Sequence, residues 1–309
     1  MPPACGPPVA SDLALVPGRR PHLDRRPPPG YACGMAAPRD AATTLNGLRF
    51  HFLDWGTAGC PPLLLLHGGA QTAHSWDEVA PDLARDHHVL ALDQRGHGDT
   101  DWAPAGKYRR DDFVADVLAF LDDRDWRDAT LVALSLGGLN AIAFAAAHPQ
   151  RMRGLVVVDV TPTVAPAGGA AIRAQLADRD FPTFEEAVAR ALAFNPRRTR
   201  ANIEERLRHA LRQGADGRWG YKFDPGIGSG GLEADFERLW DQVREIRCPT
   251  LLVRGAESAI LARESAARFL RELPGATLAE VPGAGHSVMG DNPTGFVAAV
   301  RPFLARHGL

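Results

Sequence analysis

The chain has 309 residues, 45% hydrophobic and 23% charged, long enough for one large core with an inserted subdomain and balanced like a globular protein. Its net charge of -2 gives no reason to expect nucleic acid or an anionic membrane as partner, and no apolar run approaches the ~20 residues that span a bilayer. Four cysteines, Cys5, Cys33, Cys60 and Cys248, match no zinc spacing and no dense disulfide framework, so a cytoplasmic setting is expected.

Residues 1–40 mix Pro2, Pro3, Pro7, Pro8 and the run Pro27 to Pro29 with Arg19, Arg20, Arg25 and Arg26. Such a segment buries little apolar surface and is expected to be a disordered extension. It lacks the apolar stretch of a secretory signal, and Met35 is a candidate for the true start. From about residue 47, strand-like and helix-like stretches alternate. Short apolar runs at 48–53, 62–66, 88–93, 130–134, 154–159, 250–255 and 276–281 read as strands, most of them apolar on both faces, as in a buried and mostly parallel sheet. Helical spacing appears at 111–122, 139–147, 263–273 and 296–306. The alternation predicts an α/β fold with a doubly wound, mostly parallel sheet. The interval 162–245 breaks the rhythm: it carries helical pieces and no strong buried strand, and reads as a helical cap inserted into a core of 41–161 and 246–309.

The polar residues gather at strand ends, where ligands collect in open α/β sheets. Ser135 ends the run 130–134 and opens a helix marked by Gly137 and Gly138. A serine on a tight strand-to-helix turn holds its hydroxyl out next to a helix N-terminus, which suits a nucleophile whose intermediate carries an oxyanion. The usual pattern around such a serine is G-x-S-x-G; Ala133 replaces the first glycine and keeps the neighbour small. The bend His67-Gly68-Gly69-Ala70 after an earlier strand offers one backbone N–H to an oxyanion, and Leu136 N–H offers another. His67 reads as a structural hydrogen-bonding residue, and Asp93 and Arg95 as residues that hold a loop beside the pocket.

A serine needs a base. His286 follows the last strand in the glycine-rich loop Gly283-Ala284-Gly285-His286 and stands out among eleven histidines. Asp291, before Asn292-Pro293, reads as a helix cap. The base needs a carboxylate to orient it, and two acids compete. Glu257 lies in the loop after the strand at 250–255, where Ser258 and Ala259 occupy the places expected for an aspartate. Asp159 ends a buried valine run, a costly position unless the carboxylate is hydrogen-bonded, and its strand is the next after that of Ser135. Trp76, Trp102, Phe181 and Phe223 are candidates for the pocket wall or for plain packing.

Together, L-L-L-L-H-G-G at 63–69, L-D-Q-R-G-H-G at 92–98, A-L-S-L-G-G at 133–138, V-V-V-D-V-T-P at 156–162, L-L-V-R-G-A-E-S at 251–258 and G-A-G-H at 283–286 resemble the α/β-hydrolase superfamily, in its order, over about 47–307. The resemblance implies a parallel-rich sheet under a helical cap, Ser135 as nucleophile, His286 as base, and Leu136 with Gly69 or Ala70 as oxyanion donors. Some members carry the acid after the strand that follows the nucleophile helix, which is where Asp159 falls. The expected activity is a serine hydrolase cleaving a carboxylic ester or lactone through an acyl-enzyme, with no cofactor and no metal. The alternatives are C–C bond hydrolysis or cofactor-free perhydrolysis on the same triad, and a non-catalytic small-molecule binder. Nothing in the sequence fixes the oligomeric state.

Overall fold

The apolar runs pair as strands in the computed structural model, which describes residues 34–56, 59–229 and 236–309. In chain order the strands are β1 (Gly34–Leu45), β2 (Leu48–Gly56), β3 (Pro62–Leu66), β4 (His88–Leu92), β5 (Ala129–Leu134), β6 (Met152–Val158), β7 (Asp180–Phe181), β8 (Leu211–Gln213), β9 (Trp219–Tyr221), β10 (Thr250–Gly255) and β11 (Thr277–Val281). The helices are α1 (Ala80–Leu83), α2 (Arg110–Asp123), α3 (Leu136–Ala147), α4 (Pro166–Ala177), α5 (Phe184–Phe194), α6 (Arg200–Ala210), α7 (Phe236–Glu245), α8 (Arg263–Glu272), α9 (Val288–Asp291) and α10 (Pro293–His307). Eight strands form one sheet in the order β1-β2-β4-β3-β5-β6-β10-β11, and β7-β9-β8 form a small second sheet. β2 runs antiparallel to β1 and β4, and the sheet from β4 to β11 is parallel.

Side chains alternate across a strand, and here both faces are buried. Leu64, Leu66, Leu131, Ala133, Leu155, Val157 and Leu252 pack on one face, with Phe144 of α3 and Trp240 of α7. Leu63, Leu65, Val132, Leu134, Val156, Val158, Leu251 and Val253 pack on the other, with Phe296 and Val300 of α10. Two cores back to back explain why these runs lack the polar alternation of a half-exposed strand.

Two boundaries differ from the sequence expectation. Residues 34–40 belong to β1, which pairs with β2 from Leu45↔Leu48 to Arg39↔Asp54, so the edge of the core lies before residue 40. The hairpin turns at Asn46 and Gly47, both with positive φ, a two-residue signal of the kind that short hairpins use. The rest of the proposed extension, residues 1–33, lies outside the described residues. At the other boundary, α7 buries Leu239, Trp240 and Val243 in the main core and docks its indole on Thr163 Oγ1 at 3.0 Å. It is an outer-layer helix of the sheet. The inserted part proper has its own apolar cluster of Phe181, Val188, Ile203, Leu207 and Leu211, built on α5, α6 and the small sheet. Thr183 and Thr199 start α5 and α6 by accepting from Glu186 N and Asn202 N, each at 3.2 Å. Among the described residues, Cys60 is disulfide-bonded and Cys248 is free, and no helix is long and apolar enough to cross a membrane.

Candidate active site

The sheet register brings the chemistry to one edge. Leu134 of β5 lies opposite Val158 of β6, and Val158 opposite Val253 of β10, so Ser135, Asp159 and the loop after β10 leave the sheet side by side. The ladder continues into the turns: Ser135 N donates to Val158 O at 3.1 Å, and Asp159 N to Val253 O at 2.7 Å. Ser135 takes φ 52° and ψ −116°, and Asp159 takes φ 51°. Backbone strain at a non-glycine residue persists only where the surroundings impose it. At Ser135 they do. A Cβ on Gly137 would sit 2.7 Å from both Leu66 O and His67 O, and one on Gly138 2.7 Å from Val160 Cγ1. The two glycines let α3 start close against the ends of β3 and β6, and the serine turns outward.

Asp159 is fully buried and its carboxylate is satisfied. Oδ1 accepts from Gly255 N at 3.0 Å; Oδ2 accepts from Ser258 Oγ at 2.5 Å and from His286 Nδ1 at 2.8 Å. Ser258 Oγ in turn accepts from the backbone N–H of Ile260 and Leu261, at 3.0 Å each. Ser258, at the place expected for an aspartate, thus supports an aspartate that has come from the neighbouring strand. Neighbouring residues alone assign Ser258 no role; the one signal is a hydroxyl at a vacated acid position. No hydrogen bond joins Glu257 to His286 among the described residues. Its Oε2 accepts from Arg197 Nε at 2.8 Å, and half of its side chain is exposed.

His286 is held by backbone that only glycine allows. A Cβ on Gly255 would lie 2.1 Å from Gly285 O, so the loops after β10 and β11 touch. Glu257 N donates to Ala284 O at 3.0 Å and Ala256 N to Val281 O at 2.9 Å. Asp291, expected as a helix cap, serves the same loop instead. Its Oδ2 accepts from Gly285 N at 2.9 Å, and its Oδ1 accepts from Arg198 Nε at 2.9 Å and from Asn195 Nδ2 at 2.8 Å. The cap of α10 is Asn292, whose Oδ1 accepts from Gly295 N at 2.8 Å. Arg198 and Asp291 are both almost fully buried. They tie the insertion to the histidine loop, a link across 93 residues that no local pattern announces.

Ser135 and His286 line one cavity of about 500 Å³, together with Gly69 and Leu136. No hydrogen bond joins Ser135 to His286 among the described residues; in ligand-free sites such contacts are often long and tighten on the substrate. Leu136, first in α3, has no intrahelical acceptor for its N–H. Gly69 lies beside it: a Cβ built there would be 4.0 Å from Leu136 Cβ. The opposite wall comes from the insertion, with Ile172 and Leu176 of α4, Phe194 of α5, and Ile203 and Leu207 of α6. The aromatic candidates for this wall do not line it. Trp76 is buried against Phe296, Trp102 is exposed with Arg212 over its ring, Phe181 packs inside the insertion, and Phe223 lies under Arg179. The lining residues were visible only as i, i+4 apolar pairs, 172/176 and 203/207, indistinguishable from core spacing.

His67 is structural, as expected. Its Nδ1 bonds Gly68 O at 2.7 Å and its Nε2 accepts from Gln94 N at 3.0 Å; complete burial holds its pKa below the ordinary value. Asp93 secures the neighbouring loop through Ala73 N at 2.6 Å and His51 Nδ1 at 2.7 Å, and Arg95 makes a double contact with Asp116 at 2.5 and 2.6 Å. Two groups bring metal-capable atoms within 4.8 Å of one another, His74/Asp77/His209 and His51/Asp93/Asp99. In both, the ligand atoms are engaged in hydrogen bonds, His74 Nδ1 to Asp77 at 2.9 Å and His51 Nδ1 to Asp93.

The family model described as the alpha/beta hydrolase fold matches residues 61–293. The chain belongs to that family. It is 33% identical to an esterase of Mycobacterium tuberculosis over 267 residues, 82% of this chain and 85% of that protein. It is 30% identical to a 3-hydroxybutyrate-oligomer hydrolase of Cupriavidus necator over 79% of this chain and 88% of that protein. A solved α/β hydrolase from Novosphingobium aromaticivorans superposes with a TM-score of 0.75 at 31% identity, covering 88% of this chain and all of the other.

Proposed function

We propose that this α/β hydrolase is a serine esterase, acting on a carboxylic ester or lactone through an acyl-enzyme. Ser135 is the nucleophile, His286 the base and Asp159 the acid. The observation that carries the reading is the 2.8 Å contact of His286 Nδ1 with the buried Asp159 carboxylate, at the sheet edge where Ser135 turns out into the same cavity. A carboxylate oxygen accepts, so Nδ1 carries the proton and Nε2 keeps its lone pair for the serine hydroxyl.

The steps follow from that tautomer. Nε2 takes the hydroxyl proton as Ser135 Oγ attacks the ester carbonyl, and the N–H groups of Leu136 and Gly69 receive the oxyanion. The imidazolium, stabilised by Asp159, returns the proton to the departing alkoxide, leaving an acyl-serine and an alcohol. Water then gives a proton to Nε2 and attacks the acyl carbonyl, and the proton goes back to Ser135 as the acid departs. The segment from α4 to β9 acts as the cap that closes the cavity over Ser135. Relatives named as an esterase and as an oligomer hydrolase support ester bonds as the target. The reading as a non-catalytic binder drew only on the missing acid near Ser258, and the Asp159 carboxylate removes that ground.

The test is labelling with a fluorophosphonate together with aryl-ester turnover. Wild-type protein is expected to label, and Ser135→Ala to lose labelling and about 10⁴-fold or more in kcat. Turnover retained by S135A would refute the nucleophile.

A further inference from the structure

Among the described residues, the arginines and carboxylates around the cavity pair off, apart from Arg206. Glu257 is matched by Arg197 and Asp291 by Arg198. Arg206 of α6 lines the same cavity as Ser135 and His286, half-buried, and no carboxylate pairs with it among the described residues. Its polar contact is Nη2 donating to Ser75 Oγ at 3.4 Å, near the outer limit of a hydrogen bond. The acids on its own helix are taken. Glu204 accepts from Arg200 Nε at 2.6 Å, and Glu205 pairs with Arg208 at 2.9 Å and with His209 at 3.2 Å.

The cavity wall on the insertion side is otherwise mostly apolar, from Ile172, Leu176, Phe194, Ile203 and Leu207. A guanidinium held partly out of water by such walls has lost hydration that the protein does not replace. Its planar fork matches a carboxylate, which can take two parallel N–H donors. The Ser75 hydroxyl, beside the same guanidinium, is one more donor for an incoming oxygen.

We propose that Arg206 is a specificity-determining residue that receives a free carboxylate on the substrate. The site then favours esters that carry a second, unesterified acid group over neutral esters of the same shape. This rests on the assignment of Ser135 as nucleophile. It alters no covalent step: Arg206 holds the far end of the substrate while Ser135 attacks the ester carbonyl.

The experiment compares the mono-p-nitrophenyl esters of succinic, glutaric and adipic acid, each against the neutral ester in which an isopropyl group replaces the carboxylate. Wild type is expected to prefer the anionic member at one chain length or more. Arg206→Gln is expected to lower that anionic-to-neutral ratio of kcat/KM by about tenfold to a hundredfold, mainly through KM, as for loss of a hydrogen bond to a charged group. Arg206→Lys keeps the charge without the fork and retains part of the ratio, so the outcome is readable even where the glutamine variant unfolds. No preference in wild type at any length, or an equal loss on both members of each pair in both variants, overturns the proposal. Ser135→Ala separates the two assignments: turnover by S135A with an intact anionic preference would remove the nucleophile and leave Arg206 standing.

Discussion

Asp159 ends a run of three buried valines and is itself without solvent contact. Such a carboxylate is tolerable because three donors meet it, Gly255 N, Ser258 Oγ and His286 Nδ1. Glu257, by contrast, forms a half-exposed pair with Arg197, and pairs of that kind contribute about 0–1 kcal/mol. The two acids therefore separate in a kinetic comparison. Asp159→Asn is expected to lower kcat by about 10⁴-fold, since an amide at this place orients the imidazole wrongly. Glu257→Gln is expected to lose about fivefold at most, in line with a weak surface pair. Steady-state rates on one aryl ester decide, and the opposite ranking would transfer the role to Glu257. The competition was visible in the sequence, because both acids follow apolar runs. Its outcome was not, because it depends on a serine hydroxyl from one loop meeting a carboxylate from another strand.

At the scale of elements, the insertion is fastened to the His286 loop by the buried ion pair of Arg198 with Asp291. Arg198, just before α6, reaches Asp291 of α9 and also Ser287 O, and it packs so closely over Gly290 that a Cβ there would meet its guanidinium at 2.0 Å. Removing one member of a buried pair leaves the other charge without compensation and costs about 3–5 kcal/mol. Arg198→Met is expected to lose about that much stability in urea unfolding, and to lower kcat as the His286 loop loosens. A variant that unfolds at the wild-type midpoint would show the pair to be energetically idle. The elements themselves were largely readable: β3 and β10 fall at 62–66 and 250–255 as their apolar runs predict. The small sheet was not, because strands of two or three residues, such as Asp180–Phe181, carry no detectable period. β1 was hidden for a related reason. It is an edge strand with a mixed, mostly exposed face, and its sequence gives no buried run to read.

Across the whole molecule, neutral histidines are built into the core beneath the site. His67 and His97 are completely buried, with rings 4.9 Å apart, and His87 is largely buried under α1. Burial, and then the neighbouring His67, pushes His97 from 6.5 down to about 3; burial likewise lowers His67 and His87. The unfolded chain binds these protons near pH 6.5 and the folded protein does not. The contribution of these three histidines to stability is thus complete above about pH 6.5 and is lost as the pH drops from there toward the folded values, while His51, its burial outweighed by contacts with Asp93 that raise its pKa, contributes with the opposite sign. The urea midpoint is expected to decline between about pH 6.5 and 4.5, above the range where ordinary carboxylates titrate. His97→Gln, which cannot take up the proton, should show a shallower decline. A flat midpoint across that window would mean that these rings are hydrated in solution.

The amino-acid sequence determined the parallel sheet, the serine on its turn and the histidine after the last strand. Each of these is written in neighbouring residues: apolar runs buried on two faces, small residues around Ser135, glycines before His286. Tertiary structure alone decided which acid meets the histidine, which helix faces close the cavity, and that Arg206 lines it with no carboxylate partner among the described residues. Those outcomes depend on strand order and on contacts between segments tens to more than a hundred residues apart, and local chain chemistry carries no record of such distances.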